Sequence, residues 1–142
     1  MAGSRGARTR EQMEGIEQGQ TYRPDARLRT RRISDDLIDY VVDKIVQGVG
    51  ARQIILFGSH ARGEANADSD LDLLVVHDSN DSNRMVRREI ERLLWGRHFG
   101  LDLIVRRPEE IERNVADSNP FYTRHLLAEG LVLYERPIET SR

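Results

Sequence analysis

Asp70, Asp72 and Asp102 each lie next to leucine in a short apolar run, Asp70-Leu71-Asp72-Leu73 and Leu101-Asp102-Leu103. In an extended strand residues i and i+2 point to one face, so Asp70 and Asp72 stand side by side while Leu71 and Leu73 turn to the other. Two carboxylates held that close repel each other and raise a pKa unless something positive lies between them. A divalent cation is the simplest remedy, and hard oxygen ligands suit Mg²⁺ or Mn²⁺. If the strand carrying Asp102 neighbours theirs, a third carboxylate joins the pair. Three carboxylates on adjacent strands make a site for two divalent ions, the apparatus of in-line phosphoryl or nucleotidyl transfer. The plainer reading is the wet face of an amphipathic sheet, because exposed strands alternate acids and leucines anyway.

Upstream lies a turn that could receive phosphate. Gly58-Ser59 closes the β-rich run Arg52 to Phe57 and opens a short helical stretch, His60-Ala61-Arg62-Gly63-Glu64. Glycine permits close backbone approach, and the serine hydroxyl with the following N–H groups can hold phosphate oxygens. Arg62, one helical turn beyond Ser59, could add a charge-assisted contact to a polyphosphate. Taken alone, Gly-Ser is no more than a tight turn. A polar connection of about a dozen residues, SHARGEANADS, separates it from Asp70, and a loop of that length in a small domain is usually functional.

The elements that must position these residues follow from periodicity. Ser34 suits an N-cap, Asp35 and Asp36 suit the first turn, and Leu37, Ile38, Val41, Val42, Ile45, Val46 and Val49 recur at helical spacing until Gly48 and Gly50. Arg52 to Phe57, Asp70 to Val76, Leu101 to Val105 and Leu131 to Tyr134 read as strands. A second long helix spans Asn83 to Arg97, with Val86, Ile90, Leu93 and Leu94 inward and Trp95 packing with Phe99. Pro108 opens a short helix, and Asn119-Pro120 opens another that closes near Gly130. The order is α-β-β-α-β-α-α-β, an α/β (α+β) domain with a small mixed β-sheet flanked by helices.

Composition narrows the rest. The chain has 142 residues, a formal net charge of −2 and no cysteine, which excludes disulfides, thiolate metal sites and cysteine nucleophiles. One domain is the expected size, residues 33–136, followed by a short tail, 137–142. No apolar run is long enough to span a bilayer, so a soluble, cytoplasmic protein is expected. Residues 1–32 carry eight arginines against four acids, a net +4, and show no sustained period. They read as a disordered basic leader, with a nucleic-acid or acidic-partner arm as the alternative. The arginines Arg84, Arg87, Arg88 and Arg92 read as a solvated helix face. His60, His77, His98 and His125 share no metal-ligand spacing.

Together, the stretch GSHARGEANADSDLDLLVV resembles the signature of the DNA polymerase β-type nucleotidyltransferase superfamily: Gly-Ser, a spacer of about ten residues, two acids alternating with apolar residues, and a third acid on a later strand. The likeness is nearest to its minimal members and covers about Ser34 to Glu135. It implies a polymerase β-like palm fold. It also implies that Gly58 and Ser59 hold the β- and γ-phosphates of a nucleoside triphosphate, and that Asp70 and Asp72 ligate two Mg²⁺ ions. Asp102 would complete the second ion site and help activate an acceptor hydroxyl that attacks the α-phosphorus and expels pyrophosphate. His60 fills a variable position of the motif and lines the loop. The resemblance points to ATP as donor. It also points to a HEPN-type RNase toxin as partner, the chain being an antitoxin that transfers AMP to it. Alternatives are a non-catalytic nucleotide-binding partner module and a transferase acting on a small molecule or an RNA end. A homodimer is a further expectation.

Overall fold

The computed structural model of the chain describes residues 25–137. Most of the expected disordered basic leader, residues 1–24, and the end of the expected tail, 138–142, lie outside the described residues.

Helix α1 (Asp35–Gly48) starts where Ser34 accepts a hydrogen bond from the Leu37 N–H at 3.1 Å, a side-chain cap on an otherwise orphaned donor. Its apolar stripe, Leu37, Ile38, Val41, Val42 and Ile45, is buried. Strand β1 (Ala51–Phe57) leads directly into the single-turn helix α2 (Gly58–Arg62), and the polar connection then delivers the chain to β2 (Leu71–His77). Helix α3 (Asn83–Leu93), capped by Ser82, crosses back to β3 (Leu101–Arg106). Helix α4 (Pro108–Ala116) begins at a proline whose missing N–H costs nothing there. Strand β4 (Leu131–Glu135) closes the chain.

The four strands form one mixed sheet in the order β3-β2-β1-β4. β1 runs antiparallel to β2 and β4, whereas β2 and β3 are parallel, as a helical crossover through α3 requires. Both faces are covered, which explains why the second half of β2, Leu73 to Val76, is continuously apolar. Ile54, Leu56, Leu71, Leu73, Val75, Leu103 and Val105 pack against α1 and α3. Ile55, Phe57, Leu74 and Val76 pack against Tyr122 and Leu126, with Ile111 and Val115 of α4 at the margin.

Three local expectations are corrected. Residues 25–32, read with the leader, are packed on the domain: a 3-10 turn (Ala26–Leu28) puts Leu28 in the core at 0% exposure. Asp25 there accepts hydrogen bonds from the hydroxyl of Tyr40 and, at 2.9 Å, from Lys44 of α1. A lone leucine among arginines has no periodicity, so its burial was invisible to a pattern search. Trp95 lies beyond the end of α3 and is 52% exposed, while Phe99 alone of that pair enters the core. The expected helix after Asn119-Pro120 is a π-helical segment, Phe121–Leu126, that buries Tyr122 and Leu126 and leaves Leu127 exposed.

Candidate active site

Strand pairing decides whether the aspartates meet. In the parallel β2/β3 ladder Asp72 is the register partner of Asp102, and Leu71 of Leu101. Parallel partners in register share a face, so the two carboxylates emerge from the same side of the sheet. By the same alternation Asp72 shares that side with Leu74 and Val76, under the cover of α4 and the π-helical segment. Asp72 is half-buried, whereas Asp102 is exposed beyond that cover. Asp70 lies one residue ahead of β2, exposed, where the Leu71 N–H donates to the Gly100 carbonyl at 2.9 Å.

Two glycines clear the space these carboxylates occupy. Gly58 has φ 76°, in the left-handed region, and a Cβ built on it would collide with the Asp72 carboxylate. A Cβ on Gly100 would collide with the carboxylate of Asp70. The role of Gly58 is visible in the Gly-Ser signature. Gly100 was missed; its only signal is its place immediately before the Leu101-Asp102-Leu103 strand.

The electrostatics match a cluster lacking its counter-charge. Burial, and then the neighbouring charges of Asp102 and Asp70, push the Asp72 carboxyl above the ordinary aspartate range, against the opposing pull of His60 and Arg62. Asp72 is thus the acid on which the other two act. Among the described residues, however, no group of three or more His, Cys, Asp or Glu side chains converges into a ready-made cation cage. In kind the donors still suit a hard divalent cation: two carboxylates in register, a third two residues away, and like-charge crowding that a cation would relieve.

Ser59 is half-buried at the start of α2, directly after the Gly58 turn. Arg62 is committed elsewhere. Its Nε donates to Glu64 Oε1 at 3.0 Å and its Nη1 is 3.8 Å from Glu129 Oε1. Both guanidinium partners are exposed, so exchanging them for a phosphate costs little. The arrangement thus offers a glycine-permitted turn against the Asp72 carboxylate, with an exposed arginine nearby that can change partners. Such a site can orient an anionic chain of phosphoryl groups and neutralise the charge that develops on it.

Comparison with known proteins gives the family of the chain. The nucleotidyltransferase domain family matches residues 35–127, spanning the Gly-Ser turn and all three aspartates. A candidate protein adenylyltransferase of Methanocaldococcus jannaschii is 35% identical over 83 residues, 58% of this chain and 78% of its own. The crystal structure of a candidate nucleotidyltransferase from Sulfolobus solfataricus shares the fold, with a TM-score of 0.50 at 22% identity over 71% of this chain and 79% of that one. A toxin–antitoxin structure determined with AMP-PNP is more distant, with a TM-score of 0.43 at 18% identity over 69% and 73% of the two chains, and nothing is drawn from it. With about two thirds of its length inside the family match, this chain belongs to the nucleotidyltransferase domain family and is a transferase of that class.

Proposed function

We propose that the chain transfers a nucleoside monophosphate, AMP from ATP, to an acceptor hydroxyl. The observation that carries this reading is the register of Asp72 against Asp102 beside the Gly58 turn. Asp70, Asp72 and Asp102 would hold divalent ions, Mg²⁺ or Mn²⁺, whose positive charge would offset that of the phosphoryl oxygens. Gly58 and Ser59 would bind the β- and γ-phosphates, and Arg62 would release Glu64 and Glu129 to join them. The acceptor oxygen forms a bond to the α-phosphorus as the bond to the bridging oxygen breaks. Pyrophosphate leaves with the electron pair, and the hydroxyl proton passes to the Asp102 carboxylate. Catalysis of this kind is mostly positioning and charge stabilisation, which a rigid pair of adjacent strands supplies well.

For the acceptor, the reading we favour is a protein hydroxyl, supported by the adenylyltransferase name of the M. jannaschii relative. A HEPN-type RNase toxin is the partner that the minimal-family resemblance suggests, with the chain acting as its antitoxin in the cytoplasm. Among the described residues no helix is long and apolar enough to cross a membrane. ATP labelled at the α-phosphate, incubated with the protein, Mg²⁺ and a host lysate, tests both donor and acceptor. Label appears on a protein with wild type and falls by about 10³-fold or more in Asp70→Asn/Asp72→Asn. Equal labelling by the two would overturn the catalytic reading in favour of a binding module. Labelled RNA or a labelled small molecule would redirect the acceptor.

A further inference from the structure

Beside the phosphate turn, with His60 in its lining, lies a cavity of about 590 Å³. One wall is the segment Arg31, Arg32 and Ile33; the other is His60 with the loop that carries Asn66 and Ser69. Three features of this cavity are unusual together. Both arginines are exposed, and neither guanidinium has a hydrogen-bond or ion-pair partner among the described residues. His60 Nε2 is buried and has no hydrogen-bond partner, which a folded protein rarely leaves so. Two side-chain oxygens of the loop already accept, Ser69 Oγ from the Asn66 N–H and Asn66 Oδ1 from the Asp68 N–H. The cavity therefore presents two uncommitted guanidiniums and one unpartnered imidazole nitrogen.

We propose that this cavity binds the terminal phosphates of the donor triphosphate and retains the pyrophosphate as it leaves, with Arg31 and Arg32 as its cationic wall and His60 Nε2–H as a buried donor. This rests on the reading of Gly58-Ser59 as the phosphate turn. His60 follows Ser59 directly and lines the cavity, which sets the cavity next to the phosphate turn. A flat base would want apolar walls, and Ile33 is the single large apolar side chain here. Two guanidiniums suit phosphate oxygens because their planar forks can donate in pairs. Leu28 is what brings the arginines to this place: its burial anchors the strand of chain that leads to Arg31 and Arg32.

The test is calorimetric titration of the full chain with Mg²⁺–ATP and, separately, with inorganic tripolyphosphate. Arg31→Ala/Arg32→Ala weakens both ligands at least tenfold. Arg29→Ala, an exposed arginine outside the cavity, binds both as wild type does. His60→Phe, which keeps the volume but loses the donor, weakens both by roughly threefold or more. Tripolyphosphate binding that is unchanged in the double arginine variant overturns the proposal. So does a variant that raises KM for the acceptor while binding ATP normally, since that would assign the cavity to the acceptor. Wild-type protein that binds tripolyphosphate through these arginines yet transfers no nucleotide would defeat the transferase reading and leave the cavity assignment standing.

Discussion

The two ends of β2 solve the problem of polar side chains in opposite ways. At its last residue His77 is fully buried, and both of its ring nitrogens are hydrogen-bonded. Its Nε2–H donates to Asn83 Oδ1 at 2.8 Å, and its Nδ1 accepts from Ser79 Oγ at 3.0 Å, the tautomer that the Asn83 carbonyl requires. Asn83 Nδ2 then donates at 2.8 Å to Glu110 Oε1, which also accepts from the Arg107 N–H at 2.6 Å. This chain of bonds ties β2, the start of α3 and the start of α4 together. At the start of the same strand, Asp72 is in register with Asp102, Asp70 lies one residue ahead of it, and nearby His60 Nε2 has no partner. One end is saturated and holds three elements in place; the other keeps unspent charge and unspent donors. The first makes the second possible, because a rigid strand can hold like charges together that a loop would let drift apart.

The largest expected effect breaks the open end. Gly58→Ala places a Cβ at φ 76° against the Asp72 carboxylate. We expect a stability loss of about 1–2 kcal/mol from the left-handed backbone alone. Nucleotidyl transfer falls roughly 10²-fold because Asp72 must move. Activity measured on folded protein, beside a thermal melt, separates the two effects; an alanine variant with full activity would remove the glycine from the site.

Breaking the saturated end has the reverse profile. Asn83→Ala leaves the buried His77 Nε2–H without an acceptor and takes one donor from Glu110. It costs about 1–3 kcal/mol in denaturant unfolding, with transfer activity per folded molecule unchanged. Loss of activity at constant stability would show that the two ends are not independent.

The smallest effect sharpens the contrast through pH. Burial alone would raise the Glu110 pKa, but the hydrogen bonds from Asn83 and the Arg107 backbone outweigh it and hold the carboxyl below its ordinary value. A lowered folded pKa gives stability that is complete above the unfolded value and drains away as pH falls through the folded one. Unfolding free energy followed downward from pH 4.5 should therefore decline less steeply in Glu110→Gln than in wild type. Identical slopes would mean that Glu110 is not held in its charged form by the network.

Much of the site was legible because its signal is local. The alternation Asp70-Leu71-Asp72-Leu73 assigns faces without any knowledge of the fold, and β2 begins within one residue of the expected place. Helix α1 was legible from Ser34 through Ile45 because cap and periodicity agree. Leu28 and Trp95 were misread for the same reason in reverse. Each is a single large side chain next to an element, and whether it is buried depends on what packs over it rather than on its neighbours in sequence. The π-helical turn at Phe121–Leu126 has the composition of an α-helix, so its extra residue per turn left no mark in the pattern.

The sequence by itself determined the chemistry on offer: three carboxylates alternating with leucine, a glycine-serine turn a loop ahead of them, and strands and helices of the right period. Those are properties of neighbours a few bonds apart, governed by backbone geometry. The tertiary structure alone decided that β3 pairs with β2, so that Asp102 comes into register with Asp72. It alone set Arg31 and Arg32 across a cavity from His60 and closed the His77 network at the far end. Those meetings join residues many positions apart, and what selects them is the burial of both apolar faces of one four-stranded sheet, a condition that no short stretch of sequence contains.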